Sequence, residues 1–176
     1  YIMGDQPNPL TITGGSGSEK IQATMTGGKL VHVQGSSWEA FPTTQGEQTI
    51  NVTIDGKTTS KKFRVKLLPN PTAMVANQTG GRISAAEFKA FGGLIARLQN
   101  SEFEAKFVIK SYKIAAIGGS ITQAQQYLNE GNRWSGNAAA LVNRASPGTN
   151  IFFDEIRVVG PDGKEREISP IFFTLK

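Results

Sequence analysis

TNIFFDEIRVVGPDGKEREISPIFFTLK, residues 149–176, spells two strands around a tight turn. Gly160-Pro161-Asp162-Gly163 joins a residue with a preset φ to residues that tolerate φ > 0, and apolar runs flank it on both sides. A long terminal hairpin follows. On its second arm Ile171, Phe173 and Leu175 share one face, while on the first Phe152, Ile156 and Val158 share one parity and Ile151 and Phe153 the other. Apolar residues on both parities mean either a strand covered on both faces or a bulge near Asp154 and Glu155. Pro170 donates no ladder hydrogen bond, so an edge or a bulge is expected there, and an open edge invites a partner.

Upstream of the hairpin, Ser135 is placed to cap a helix whose Ala138, Leu141, Val142 and Ala145 follow the i, i+3, i+4, i+7 spacing, ended by Ser146-Pro147-Gly148. Residues 118–134 are ambiguous between a capped helix and an exposed hairpin or loop. Leu94 to Leu98 and Phe103 to Ile117 alternate in the manner of strands, and the sequence predicts that they pair across Gln99-Asn100-Ser101-Glu102. Ser84-Ala85-Ala86-Glu87 fits a capping box, with Phe88 and Phe91 on one face of a short helix that Gly92-Gly93 stops. Leu68-Pro69-Asn70-Pro71 marks a domain boundary, because the prolines fix φ and disfavour helix before them.

From Pro9 to Leu68 the sequence is almost pure strand and turn. Leu10 and Ile12 alternate with threonines, and Ile21, Ala23 and Met25 lead through Gly27-Gly28 into Leu30–Val33, which predicts a hairpin. Ile50, Val52 and Ile54 alternate up to the Asp55-Gly56 turn; beyond it Phe63, Val65 and Leu67 face a core while Lys62, Arg64 and Lys66 face water. Trp38 and Phe41 fill or rim that core. The fold read from the sequence is therefore mainly β: an immunoglobulin-like β-sandwich over residues 1–68, then a smaller α+β domain over 69–176 with two short helices and the terminal hairpin.

A chain of 176 residues, 38% hydrophobic and 19% charged, has enough apolar material for globular cores and no apolar run near the ~20 residues that span a bilayer. Tyr1-Ile2-Met3 leads into polar residues instead of a signal-peptide core, and the missing initiator Met marks a fragment or a processed chain. Without cysteine there are no disulfides or thiolate metal sites. The net charge of +5 is dispersed among acids, which reads as solvated surface rather than a nucleic-acid footprint.

Chemistry finds little purchase. His32 is the one histidine, with no second ligand or nucleophile at a useful spacing. Asp154 and Glu155 are adjacent and leave an extended strand on opposite faces, which spoils them as a carboxylate pair. Glu102 and Glu104 share a parity, yet beside a turn and near Lys106 they read as a solvated face. Gly14-Gly15-Ser16-Gly17 and Gly118-Gly119-Ser120 lack the lysine and helix onset of a phosphate loop. Asn51 and Asn77 head glycosylation-type triplets that matter only in a glycosylating pathway. Phe107 and Ile109 lie on the face opposite Lys106 and Lys110, an arrangement of core against solvent and not of base stacking. No catalytic, cofactor-binding or metal-binding residue is assigned, and no cofactor is called for.

Several blocks together resemble the C-terminal region of the GldM/PorM family. They are Gly93-Leu94-Ile95-Ala96-Arg97-Leu98-Gln99-Asn100, then Phe103, Phe107 and Ser111-Tyr112, Gly131-Asn132-Arg133, Phe153 to Ile156 with the Gly160–Gly163 turn, and Ile171 to Leu175. The match runs well from Lys62 to Lys176 and covers the first sandwich by type and position. It implies a non-enzymatic periplasmic part of the type IX secretion and gliding machinery. Such proteins are implied to be anchored in the inner membrane by an N-terminal helix that this chain does not contain, to homodimerise, and to link an inner-membrane motor partner, reached through that N-terminal region, to an outer-membrane-associated ring lipoprotein and its partner protein. No nucleic-acid partner is implied. The other reading the residues leave open is a secreted adhesin or carbohydrate-binding module that presents Trp38, Trp134 and Tyr127; a hydrolase built on Glu102 and Glu104 lacks a base, a nucleophile and an orienting group that can be placed together.

Overall fold

The computed structural model describes residues 1, 3–4, 7–14, 20–100 and 105–176. They form two compact units, Tyr1–Pro69 with Pro161–Gly163, and Asn70–Gly160 with Lys164–Lys176.

The first unit holds two three-stranded antiparallel sheets. β1 (Asn8–Thr11), β4 (Ser37–Pro42) and β3 (Gly28–Gln34) form one in the order β1-β4-β3; β2 (Ile21–Met25), β5 (Gly46–Ile54) and β6 (Lys57–Val65) form the other in the order β2-β5-β6. The Asp55-Gly56 turn behaves as its chemistry demands, with φ of 52° and 78°, the double left-handed conformation of a two-residue hairpin. The Gly27-Gly28 link does not. β2 pairs with β5 and β3 with β4, so these consecutive strands lie in different sheets instead of forming the expected hairpin. Gly27 turns the chain across the sandwich, its carbonyl held by Thr43 N and Thr44 N, and Gly28 lies so close to Phe41 O that a Cβ would sit at 2.5 Å. Leu67 is exposed where a core residue was expected, because β6 stops at Val65 and Leu68 is buried in its place.

The second unit is the larger of the two, contrary to the expectation of a smaller domain. The bounds 69–176 against 1–68 already make it so, and the ambiguous 118–134 stretch within it is mostly strand. β10 (Val108–Gly118) turns through Gly119 and Ser120 into β11 (Ile121–Glu130), with Gly118 and Gly119 at φ 102° and 55°. β10 and β11 join β12 (Thr149–Val159), β14 (Ile171–Leu175) and β8 (Gly81–Ile83) in the order β11-β10-β12-β14-β8, with β13 (Glu165–Ile168) also on β12. β9 (Ile95–Arg97) pairs with β7 (Thr72–Met74) and not with β10, whose two sides are taken by β11 and β12. The proposed 99–102 connection lies partly outside the described residues.

The terminal hairpin has the bulge, not the double cover. Glu155 sits at φ 46°, its N–H donating to the Asp154 carboxylate at 2.8 Å, and the β10–β12 register shifts there, so Ile151 and Phe153 below and Ile156 and Val158 above are all buried. Pro170 separates β13 from β14. Before Pro170, β13 pairs with β12 alone, whereas β14 after it is no edge and pairs with β8 in parallel, Leu175 opposite Ile83.

Two helices complete the unit. In α1 (Ala85–Phe91) Ser84 Oγ accepts from Glu87 N at 3.0 Å and Gly92 closes the helix at φ 82°, but only Phe88 is buried; Phe91 is exposed. In α2 (Gly136–Arg144) Ala138, Leu141 and Val142 are buried, as is Ala145 just beyond its end. Ser135 stands at its N-cap without a side-chain capping bond; Asn129 Oδ1 takes the Ser135 N–H instead. The core centres on rings: Phe88 stacks on Trp134 at 5.1 Å and meets Phe153 and Phe173, and Tyr112 meets Phe153 edge-on at 5.4 Å. Pairs of this kind add about 0.5–1.5 kcal/mol each beyond the area they bury.

Candidate functional site

The polar candidates do not converge. His32 stacks on Trp38 at 4.6 Å, and its Nε2 lies 2.7 Å from Gly35 O. Asp154 is spent on the bulge, and Glu155 pairs with Lys113 at 3.0 Å on the surface. Glu102 and Glu104 lie outside the described residues, as do residues 15–17 of the first glycine run. Among the described residues no cluster of three His, Cys, Asp or Glu side chains is placed to hold a metal ion. Phe107 and Ile109 are buried while Lys106 and Lys110 are exposed, as alternation requires.

The aromatic candidates are mostly occupied by packing. Trp38 is buried, with its indole N–H lacking a partner among the described residues. Trp134 is half-buried against both Phe88 and Phe153. Tyr127 is half-buried and donates to Gln125 Oε1 at 3.1 Å.

What the second unit does present is an apolar sheet face. Phe152 sits between Ala115 and Phe172 in the cross-strand register; Ile117 lies one step along β10, and Leu128 lies opposite Lys113. Phe152 and Phe172 are each 43% exposed with rings 4.8 Å apart, and Leu128 is 61% exposed. Both signs of charge share this face: Lys113 and Asp154 are cross-strand partners, and Arg82 lies opposite Thr174. One signal was present in the sequence, since Phe172 interrupts the core parity of Ile171, Phe173 and Leu175. Phe152 was harder to read, because the bulge at Glu155 decides which of the first-arm parities turns outward.

As a class this is a β-rich module of two units whose distinctive features, among the described residues, are sheet faces and edges. Residues 69–176 match the family model described as the GldM C-terminal domain, and residues 4–66 match the one described as the GldM third domain. The chain belongs to the GldM family, components of the type IX secretion and gliding machinery. No curated protein is a match. Among solved structures, the Yersinia pseudotuberculosis adhesin InvE aligns at 13% identity and a TM-score of 0.29, over 98% of this chain and 56% of that one. The chain thus spans little more than half of that protein. No helix among the described residues is long and apolar enough to cross a membrane.

Proposed function

We propose that this chain is a non-enzymatic, periplasmic structural element of that machinery. It comprises two domains, 1–68 and 69–176, and acts as a homodimer in the linkage between the inner-membrane motor and the outer-membrane-associated ring lipoprotein with its partner protein. The observation that carries the dimer is the exposed Phe152–Phe172 pair on a face where Lys113, Arg82, Asp154 and Glu155 supply both charges. An apolar centre with mixed charges around it is self-complementary, as a two-fold contact between copies requires. Family membership supports the assignment to the machinery.

Sedimentation velocity over a concentration series tests the dimer. The parent chain is expected to dimerise, and F152E/F172E is expected to weaken association at least tenfold while leaving the circular dichroism spectrum unchanged. A parent that stays monomeric at the highest concentration, or a variant that dimerises like the parent, refutes it.

A further inference from the structure

β11 is one edge of the second unit's largest sheet, with β10 as its strand partner among the described residues. Edge strands are ordinarily kept from pairing by shortness, lysines, prolines or bulges. β11 lacks these protections. It runs for ten residues, contains no proline, carries no charge before Glu130, and keeps one register with β10 from Gln125 to Glu130. The chain enters it through the Gly119-Ser120 turn and leaves it through Gly131 toward α2, so both of its flanks are already placed. No ladder described in the unit runs on into this edge.

Gly131 N donates to Lys110 O at 2.7 Å. By alternation from that bond, Tyr127 and Asn129 turn their backbone groups toward β10, while Ala124, Gln126 and Leu128 turn theirs outward. No backbone partner meets those outward groups among the described residues. The side chains along the edge differ by face. On the open face, with Lys113 and Ser111 as cross-strand partners, stand Leu128, 61% exposed, and Glu130. On the other face, the side of buried Ile114 and Ala116, Arg144 reaches from α2 to Gln125 Oε1 at 2.7 Å. Neither Glu130 nor Arg144 meets an opposite charge among the described residues.

We propose that this edge takes up an extended segment of another protein, added antiparallel to β11. Main-chain bonds to Ala124, Gln126 and Leu128 supply direction. A base opposite Glu130, an apolar side chain opposite Leu128, and an acid opposite Gln125, within reach of Arg144, supply selection. Read from its N-terminus, the segment is base-x-apolar-x-x-acid. A second copy of this chain does not complement the edge. Residues opposite each other in a β11–β11 pairing share a face, so Glu130 of one copy stays on the face away from Arg144 of the other, and both charges remain unpaired. β10 separates this edge from β12 and Phe152, and the site is independent of the contact assigned to the Phe152–Phe172 pair.

The test is a displayed library of random ten-residue peptides panned against the whole chain and against E130K/R144E. Both side chains are exposed, and E130K alone repeats the exchange at one position if the double variant unfolds. The parent is expected to enrich base-x-apolar-x-x-acid peptides, and E130K/R144E the same spacing with the two charges exchanged. The peptide selected by the parent is expected to bind Q126P at least tenfold more weakly, since proline at an outward N–H removes a bond to the segment and none to β10. It is expected to bind F152E/F172E as tightly as the parent. Hydrogen exchange with that peptide is expected to show new protection at the Ala124, Gln126 and Leu128 amides. No enrichment by the parent, enrichment without the pattern, an unchanged selection by the charge variants, or undiminished binding to a folded Q126P overturns the proposal. Protection of those three amides in the peptide-free chain also overturns it; protection that grows with chain concentration identifies a second copy as the occupant instead.

Discussion

Asn129 to aspartate exchanges an NH2 group for an oxygen of nearly equal size, and so tests a hydrogen-bond network without opening a cavity. Asn129 is 2% exposed. Its Nδ2 donates to the carbonyls of Arg133 at 2.9 Å, Gly131 at 3.2 Å and Glu130 at 3.3 Å, and its Oδ1 accepts from Ser135 N at 2.9 Å. One side chain therefore ties the end of β11 to the start of α2. Two hydrogens serve three carbonyls, so about two full bonds disappear, at roughly 1 kcal/mol each. An anion then faces those carbonyls in a desolvated place, which brings the loss near neutral pH to about 3–5 kcal/mol. The new carboxyl has a folded pKa above its unfolded value of about 3.9, because burial and the carbonyl dipoles both disfavour the anion. The unfolded state thus releases its proton first, and the penalty grows with pH from about 4 upward, by up to ~1.4 kcal/mol per unit, until the folded pKa is reached. At pH 3 the neutral acid keeps one O–H donor, and the loss shrinks to about 1–2 kcal/mol. The assay is urea unfolding at pH 3 and pH 7 in a W38F background, which leaves Trp134, stacked on Phe88, as the one tryptophan reporter. A variant that unfolds within about 0.3 kcal/mol of its parent at pH 7, or that loses equally at both pH values, refutes the reasoning.

Burial pushes the Tyr112 phenol well above its ordinary value of 10.0. It stays protonated in the folded chain after the unfolded chain has begun to ionise, so stability is full below pH ~10 and falls above it by up to ~1.4 kcal/mol per unit. Absorbance at 295 nm in a Y112F comparison checks this; a Tyr112 that titrates normally in the folded chain counts against it. Gly93→Ala is expected to cost about 1–3 kcal/mol in thermal or urea unfolding, since the added Cβ would lie 2.5 Å from Asn132 O and 2.8 Å from Arg133 Cα, both backbone atoms. By contrast, Lys62→Ala removes an ion pair to Glu47 at 3.2 Å whose side chains are 73% and 66% exposed, and unfolding is expected to shift by less than about 0.5 kcal/mol.

Local chemistry in the sequence carried the elements further than their partners. Asp55-Gly56 specifies a hairpin because both residues tolerate positive φ, and Phe63 and Val65 against Lys62 and Arg64 specify a face. Gly27-Gly28 offers the same local signal yet sends the chain to the opposite sheet, because the choice is made by distant atoms at Phe41, Thr43 and Thr49. The same holds for β9, whose partner at Thr72–Met74 lies upstream of α1. β11 was illegible for a different reason: between its buried ends, Ile121 and Asn129, the side chains are largely polar, and only pairing to β10 makes them a strand. Of the exposed aromatic face, half was readable at Phe172; the other half depended on where Glu155 places one extra residue.

β14 lies inside its sheet, with β12 on one flank and β8 on the other. Lys176 closes the arrangement by donating from N to Ile83 O and accepting at O from Ala85 N. During synthesis β8 emerges early and waits for a neighbour that is translated only after nearly all the rest of its unit. The sheet is therefore completed only after β14 has been made, and loop closure on that scale is slow. Without residues 172–176 β8 would have no strand to join, so the sheet is completed only when segments from both ends of the unit meet.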